Sequence, residues 1–282
     1  MVILDDKKQP IRKRRHKGSR KTGKIPFDRI EKVIRALEAE ASLPEAEKKR
    51  IALENAPGRL DRSLAGLEQR QKARMSVGSW RLLLVIGIPL YTGYRSVDCV
   101  KLLWSDLVYL NHDGSLTVRD TLTTKEQKTA KRREVPINND LAFYIIRAFQ
   151  EAKPRSLEMP VFKPLHAAYS NRVVRPGEAI KRLQYGRLIG HAFARFGVYD
   201  GPGMVAPHSL RKSYAWFMFE KLGGDMFALL QMQQILNHSS IDDTIRYLDI
   251  TLESAHAAVK GLSFRGEGSG SVQRHFKIAS IN

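Results

Sequence analysis

The feature that most constrains the fold is a change in hydrophobic spacing along the chain. Apolar residues recur at helical spacing up to Leu103, alternate with polar residues from Leu107 to Ile137, and return to helical spacing from Asp140. Helices, then short antiparallel strands, then helices again predict an α+β class that is mainly α. A parallel sheet would instead need strands and crossover helices that alternate along the whole chain.

The alternating region predicts a small three-stranded antiparallel sheet. LVYL at 107–110 and SLTVRDTLTT at 115–124 flank the turn NHDG, which is the pattern of a β-hairpin. RREVPI at 132–137 follows a turn rich in Lys and Thr and predicts the third strand.

Helical spacing predicts the remaining elements. The segment from 27 to about 70 predicts a small helical element, because Ile30, Val33, Ile34 and Leu37 would share one helix face. Further helices are predicted over 80–91, 96–103, 140–152, 177–196, 209–222, 226–236, 241–248 and 252–261. The expected organisation is a disordered basic arm at 1–25, a short helical segment at 26–75, a larger domain at 76–264 and a flexible tail at 265–282. The linker GEGSGS precedes HFKIASI, which predicts a short strand within that tail.

The charge balance points to an anionic partner. Lys and Arg number 48 against 29 Asp and Glu, which gives a formal net charge of +19. An excess of this size repels itself unless an anion is close, and nucleic acid is the commonest such partner. The arm KKQPIRKRRHKGSRKTGK concentrates these cations and predicts contact with DNA phosphates.

Several other classes are excluded by the sequence. Cys99 is the only cysteine, so the chain has no intramolecular disulfide or cysteine-based zinc site, and its apolar surroundings predict a buried side chain. The longest apolar run, Leu82 to Leu90, is too short to cross a bilayer, and no apolar segment follows the N-terminal charges. No membrane partner is therefore expected, and a cytoplasmic or nucleoid location is predicted. Asp242 and Asp243 stand at a helix start, where a favourable interaction with the helix dipole is preferred to metal binding.

Four segments carry polar residues in a suggestive order. TGYRSVDCVKLLWSDL at 92–107 contains Arg95, and KTAKRREVPI at 128–137 begins with Lys128. PHSLRKSYAWFMFEKLG at 207–223 contains His208 and Arg211, one helical turn apart. LNHSSIDDTIRYLDI at 236–250 contains His238 and, nine residues later, Tyr247.

These segments resemble the signature boxes of the tyrosine recombinase (phage integrase) family, over roughly residues 78 to 262. Asp98 follows Arg95 by three residues, as an acidic brace does in the family, and Lys128 precedes Pro136 by eight. Thr244-x-x-Tyr247 follows the second histidine at the family's separation. Four boxes in the correct order are far more specific than any one of them.

The resemblance implies that Arg95 and Arg211 neutralise charge on a DNA phosphate, because guanidiniums match phosphate oxygens and stay protonated. It implies that Lys128, on a hairpin, protonates the leaving 5′ oxygen. Lys125 and Lys131 lie nearby, and only the spacing to Pro136 singles out Lys128.

The resemblance further implies that Tyr247 attacks the phosphorus and forms a 3′-phosphotyrosine with a free 5′ hydroxyl. His208 would accept the tyrosine proton, and His238 would donate a hydrogen bond to the phosphate. The reaction would need no metal, ATP or other cofactor. In the family, four protomers act on two DNA duplexes, so double-stranded DNA and a homotetramer are the expected partners.

One part of the family pattern is missing. Members carry a helical DNA-clamping domain of about a hundred residues before the catalytic domain, whereas Arg95 comes too early for a domain of that size. Two functions therefore stay open: an active site-specific recombinase, or a DNA-binding accessory or regulatory protein that keeps the fold. A type IB topoisomerase shares the chemistry but resembles these boxes less.

Overall fold

The computed structural model describes residues 23–55, 77–125, 131–164, 177–200, 203–248 and residue 250. Within these ranges the protein is mainly helical. The helices are α1 (Phe27–Ala41), α2 (Glu45–Glu54), α3 (Trp80–Thr92), α4 (Ser96–Cys99), α5 (Trp104–Leu107), α6 (Asn139–Ala152), α7 (Arg182–Arg195), α8 (Pro207–Lys221), α9 (Met226–Leu236) and α10 (Ile241–Leu248). No helix in the described residues is both long and apolar enough to cross a membrane.

Helix α3 lies at the centre of the main hydrophobic core. Ser79 caps the N-terminus of this helix, because its hydroxyl accepts a hydrogen bond from the Leu82 amide at 3.1 Å. Pro89 lies inside the helix and has no amide hydrogen, so the carbonyl of Val85 lacks its usual helical donor. The hydroxyl of Tyr185 on α7 donates to that carbonyl at 2.7 Å, which fixes α7 against α3.

The strands form two separate two-stranded antiparallel sheets. Strand β1 (Val108–Leu110) pairs with β2 (Leu116–Val118), and β3 (Thr121–Lys125) pairs with β4 (Arg132–Pro136). The expectation of one three-stranded sheet was therefore wrong in its arrangement, although the antiparallel hairpin was correct.

The cause is a bend at Arg119 and Asp120 that divides the expected second strand. The Arg119 amide donates to Leu107 at 2.9 Å, and the Asp120 carbonyl accepts from the Ile137 amide at 2.8 Å. Arg119 thus continues the pairing of β2 toward the residues before β1, whereas Asp120 continues the pairing of β3 toward the residues after β4. The alternation of the sequence continues through both residues, so it gives no sign of the bend.

Helix α1 packs in the same core as α3 and does not stand apart from it. Ile30, Val33 and Leu37 on α1 are buried and belong to the cluster that contains α3. Just before α1, the Ile25 amide donates to the hydroxyl of Ser213 on α8 at 2.7 Å, and that hydroxyl donates back to the Ile25 carbonyl at 3.0 Å. The boundary expected at residue 75 stays a prediction.

A second, smaller hydrophobic cluster is formed by α8, α9 and α10. Its buried residues are Tyr214, Ala215, Phe219, Ala228, Leu229, Met232, Leu236 and Leu248. Helix α8 also supplies Leu210 to the main core. Because α8 belongs to both clusters, its first turns lie where the two meet, and the candidate site is found there.

Most helices start and end close to the predicted residues, and two differ. The helix expected over 96–103 ends at Cys99, and α7 begins at Arg182 instead of 177. The Ile180 amide donates to the Phe162 carbonyl at 2.7 Å, which keeps residues before α7 extended. Cys99 is buried, as expected. The helix expected at 252–261, the tail, and the arm apart from its last three residues lie outside the described residues.

Candidate active site

Arg95 follows a tight turn that ends α3. Gly93 adopts a left-handed conformation with φ of 61°, and a Cβ there would lie 2.5 Å from the ring of Tyr214. The next residue, Tyr94, is fully buried, and its hydroxyl donates to the Leu122 carbonyl at 2.7 Å. Arg95 then begins α4, and its carbonyl accepts from the Asp98 amide at 2.9 Å. The left-handed Gly93 and the buried Tyr94 hold the turn, and Arg95 takes its position from it.

His208 and Arg211 project from the first turns of α8. Pro207 is the first residue of the helix, where the missing amide hydrogen costs nothing. Arg211 is only 1% exposed. Its guanidinium donates one hydrogen bond to the Gly93 carbonyl and another, at 3.1 Å, to the Leu236 carbonyl at the end of α9. Arg211 therefore joins the ends of α3 and α9.

His238 lies in the turn between α9 and α10. Asn237 ends α9 in a left-handed conformation with φ of 57°, which only a few residue types besides glycine tolerate well. The Nδ1 atom of His238 lies 3.0 Å from the hydroxyl of Thr244, which is fully buried on α10. This contact orients the imidazole ring of His238 relative to α10.

Tyr247, on α10, lies between the two histidines. Its ring centroid is 5.4 Å from that of His208 and 5.2 Å from that of His238, and both pairs meet nearly edge to face. The Cζ atom of Arg211 lies 5.7 Å from the same ring centroid. Residues separated by up to 152 positions in the sequence, from Arg95 to Tyr247, are thus brought to one place.

The electrostatics of the cluster are dominated by burial and by the arginines. Burial raises the pKa of Tyr247, and the positive charges of Arg211 and Arg95 offset part of that rise. Burial and the charges of Arg211, Lys212 and Arg95 lower the pKa of His208 from 6.5 to about 4. Near neutral pH, His208 is therefore an uncharged imidazole beside a protonated phenol.

Five of the six predicted site residues lie in this cluster: Arg95, His208, Arg211, His238 and Tyr247. Arg95 lies two residues after Gly93, whose carbonyl accepts from Arg211, and its positive charge lowers the pKa of both His208 and Tyr247. Lys128 lies outside the described residues, between β3 and β4.

A model of the family described as "Phage integrase family" matches residues 68–253, which is more than half of the chain and includes every residue of the cluster. The chain belongs to the phage integrase family.

Known proteins similar to this family member were found by sequence and by structure. The "Probable integrase/recombinase YoeC" of Bacillus subtilis (strain 168) is 28% identical over 142 residues, which cover 50% of this chain and 67% of that protein. The crystal structure of XerA recombinase is similar with a TM-score of 0.49 and 16% identity, over 86% of this chain and 64% of that one. A lambda integrase dimer bound to a COC′ core site is similar with a TM-score of 0.46 and 18% identity, over 82% of this chain and 49% of that one. The chain thus spans only about half to two thirds of the solved chains' lengths.

The expected fold class, α+β and mainly α with antiparallel strands, is confirmed, and the one difference is that the strands form two two-stranded sheets instead of one three-stranded sheet. In the described ranges, no group of three or more His, Cys, Asp and Glu could hold a metal ion. Asp242 and Asp243 stand in the first turn of α10, the expected position for carboxylates that interact with the helix dipole.

One residue close to the cluster was not identified from the sequence. Arg133, on β4, is 5% exposed and donates to the carbonyls of Thr92 and Gly93 at 2.6 and 3.1 Å. A signal was present, because strand alternation puts Arg133 on the same inward face as Val135. Residues 132–137 were predicted as a strand, but the inward position of Arg133 on that strand was not recognised from the sequence.

Proposed function

We propose that this phage integrase family member is a site-specific DNA recombinase that cuts and rejoins DNA through a covalent bond between Tyr247 and a backbone phosphate. The observation that carries the proposal is the packing of the Tyr247 phenol between His208 and His238, with Arg211 directly beside it. A phenol surrounded in this way is suited to attack an anion, because the same cations that attract the phosphate also stabilise a phenolate.

Arg95 and Arg211 bind the scissile phosphate. Attack builds negative charge on the non-bridging oxygens, and guanidiniums stay protonated at every relevant pH. The buried hydrogen bonds of Arg211 to Gly93 and Leu236 hold its guanidinium in place before DNA arrives. A preorganised donor needs no rearrangement during the reaction, which is the main source of its catalytic effect.

His208 accepts the proton of Tyr247 as the phenol oxygen bonds to phosphorus. A pKa of about 4 makes His208 a weak base in the free protein, largely because it is buried and the nearby arginines repel a further positive charge. A bound phosphate supplies negative charge to the same place, so it raises the pKa of His208. Proton acceptance is thereby linked to DNA binding.

The bond from phosphorus to the 5′ oxygen breaks as the new bond forms. That oxygen takes a proton from Lys128 and leaves as a free 5′ hydroxyl, while Tyr247 stays attached as a 3′-phosphotyrosine. Attack by a 5′ hydroxyl reverses these steps and returns the proton to the phenol. The phosphodiester energy is kept in the covalent intermediate, so neither ATP nor a metal ion is consumed.

Double-stranded DNA is the proposed substrate, and a homotetramer on two DNA sites is the proposed assembly. The net charge of +19 supports DNA binding through the release of counterions. Two duplexes have four strands, and each strand that is cut requires its own tyrosine nucleophile. Four protomers would supply four copies of Tyr247.

A nicked suicide substrate tests the proposed function. The nick lets a short fragment diffuse away after cleavage, so a covalent adduct accumulates and survives SDS. We expect the adduct to form with the unsubstituted chain and with Tyr109→Phe, an exposed tyrosine on β1, and to be absent with Tyr247→Phe. DNA binding should be nearly the same in all three proteins. Intact binding with no adduct from the unsubstituted chain would favour a DNA-binding accessory protein instead.

A further inference from the structure

Arg133 is a buried cation that has no assigned role in the proposed reaction. It lies in the middle of β4 and is held on several sides. Its Cζ atom is 4.7 Å from the ring centroid of Tyr94, and the Tyr94 hydroxyl, which donates to the Leu122 carbonyl, also lies 3.2 Å from the Arg133 carbonyl. The side chain and the backbone of Arg133 are therefore both tied to the turn that precedes Arg95.

The contacts of its guanidinium point to a specific carbonyl. One terminal nitrogen donates to the Thr92 carbonyl at 2.6 Å, and the other donates to the Gly93 carbonyl at 3.1 Å. Arg211 donates to the same Gly93 carbonyl. A carbonyl oxygen has two lone pairs, so two donors saturate it. The orientation of the Gly93 peptide thus sets where both guanidiniums can lie.

A purely structural role would not require a charge at this position. Arg133 and Arg211 donate to the same carbonyl in a buried place, and well-packed apolar residues often replace buried charges without loss of stability. The positive charge of Arg133 also counteracts the rise in the pKa of Tyr247. An apolar side chain could fill the space, but it could not donate hydrogen bonds to the two carbonyls at the end of α3.

We propose that Arg133 is a positioning residue for the reaction: it holds the Gly93 carbonyl in the orientation that Arg211 needs, and so fixes the Arg211 guanidinium for the phosphate. This inference rests on the proposed function. Arg133 itself acts through Arg211 and does not contact the reacting atoms.

Substitutions of Arg133 test the role by single-turnover cleavage of the suicide substrate. Arg133→Met should cleave about a hundredfold more slowly with nearly unchanged DNA binding, since small displacements of a catalytic group have effects of that size. Arg133→Lys should cleave about tenfold more slowly, because an ammonium cannot fork across two carbonyls. The matched control is Arg195→Met, at a partly buried arginine on α7 that pairs with Glu40 of α1. Its cleavage rate, corrected for the fraction of protein that is folded, should equal that of the unsubstituted chain.

A double-mutant cycle separates positioning from general damage. If Arg133 acts through Arg211, then Arg133→Met should slow Arg211→Lys much less than it slows the unsubstituted chain. Equal losses in both backgrounds would overturn the inference, as would normal cleavage by Arg133→Lys. If Arg133→Met does not fold, the same cycle with Arg133→Lys decides.

The outcome for the proposed function can be told apart from the outcome for this inference. If neither the unsubstituted chain nor any variant forms an adduct, the proposed function has failed. The positioning of Arg211 by Arg133 is then tested by phosphate binding, measured as the rise in Tm that inorganic phosphate produces. That shift should be smaller in Arg133→Lys than in Arg195→Met. Equal shifts would overturn the positioning role of Arg133.

Discussion

The arginine side of the candidate site is fixed by hydrogen bonds to buried backbone carbonyls, whereas the tyrosine side is held mainly by packed rings. Arg211 joins the ends of α3 and α9 through two carbonyls. Tyr247 instead stands edge to face against His208 and His238 on the eight-residue helix α10. Charge stabilisation requires donors that are already in place, while a nucleophile has to move toward phosphorus. Substitutions on the arginine side should therefore cost far more than the loss of one contact on the tyrosine side.

The largest effect is expected for Arg211→Ala. It removes a cation and the bridge between α3 and α9, so single-turnover cleavage should fall by at least about a thousandfold. DNA binding should change little, since most of the affinity comes from other phosphates. Arg35→Ala, at an exposed arginine on α1, should cleave normally. Cleavage by Arg211→Ala within tenfold of the unsubstituted chain would contradict the assignment.

Gly93→Ala tests the turn that orients the arginines. The added Cβ would lie 2.5 Å from the ring of Tyr214, and the residue would also be strained at φ of 61°. The free energy of unfolding in urea should fall by about 3 kcal/mol or more. Gly114→Ala, with φ of 80° and open space around it, isolates the strain and should cost about 1 kcal/mol. Equal losses would show that the packing on Tyr214 is unimportant.

The low pKa of His208 predicts a pH dependence of stability. Its folded pKa of about 4 lies below the ordinary 6.5, so the unfolded chain binds the proton more readily between these values. Stability from neutral His208 is present above pH 6.5 and is lost as the pH falls toward 4. His208→Gln lacks this loss, so its stability relative to the unsubstituted chain should improve by on the order of 1 kcal/mol between pH 7 and 4.5, after allowance for partial exposure. A difference that stays constant with pH would contradict the assignment of a buried neutral imidazole.

The smallest effect is expected for Thr244→Val on the tyrosine side. The shape is kept, and only the hydroxyl that lies 3.0 Å from Nδ1 of His238 is removed. One neutral hydrogen bond contributes about 1 kcal/mol, so cleavage should slow by about fivefold. Ser240→Ala removes the hydroxyl that accepts from the Asp243 amide at the start of α10, and it leaves the His238 contact intact. It should therefore lower stability more than cleavage, and the reverse pattern would contradict the orienting role of Thr244.

The sequence predicted the parts of this comparison that depend on local spacing. The apolar run Trp80 to Tyr91 specifies a buried helix, which is what α3 forms. His208 and Arg211 share a helix face because they are one turn apart. Tyr247 was recognised only because of its spacing from His238, since an aromatic residue on an apolar stripe is usually part of the core.

The parts that depend on distant contacts could not be predicted. The bend at Arg119 and Asp120 is made by bonds to Leu107 and Ile137, and nothing in the local pattern requires it. The burial of Arg133 depends on two carbonyls about 40 positions earlier in the chain. The same holds for α1, whose helical spacing was clear but whose packing against α3 was not.

The most direct measurement is to identify the residue that carries DNA in the trapped adduct. Trypsin cleaves after Arg246, so digestion of the adduct followed by mass spectrometry should place a nucleotide remnant on the peptide that begins with Tyr247 and ends with Lys260. Fragmentation of that peptide should assign the remnant to the phenol of Tyr247. A remnant on any other residue, or no remnant from a protein that has cleaved its substrate, would contradict the account.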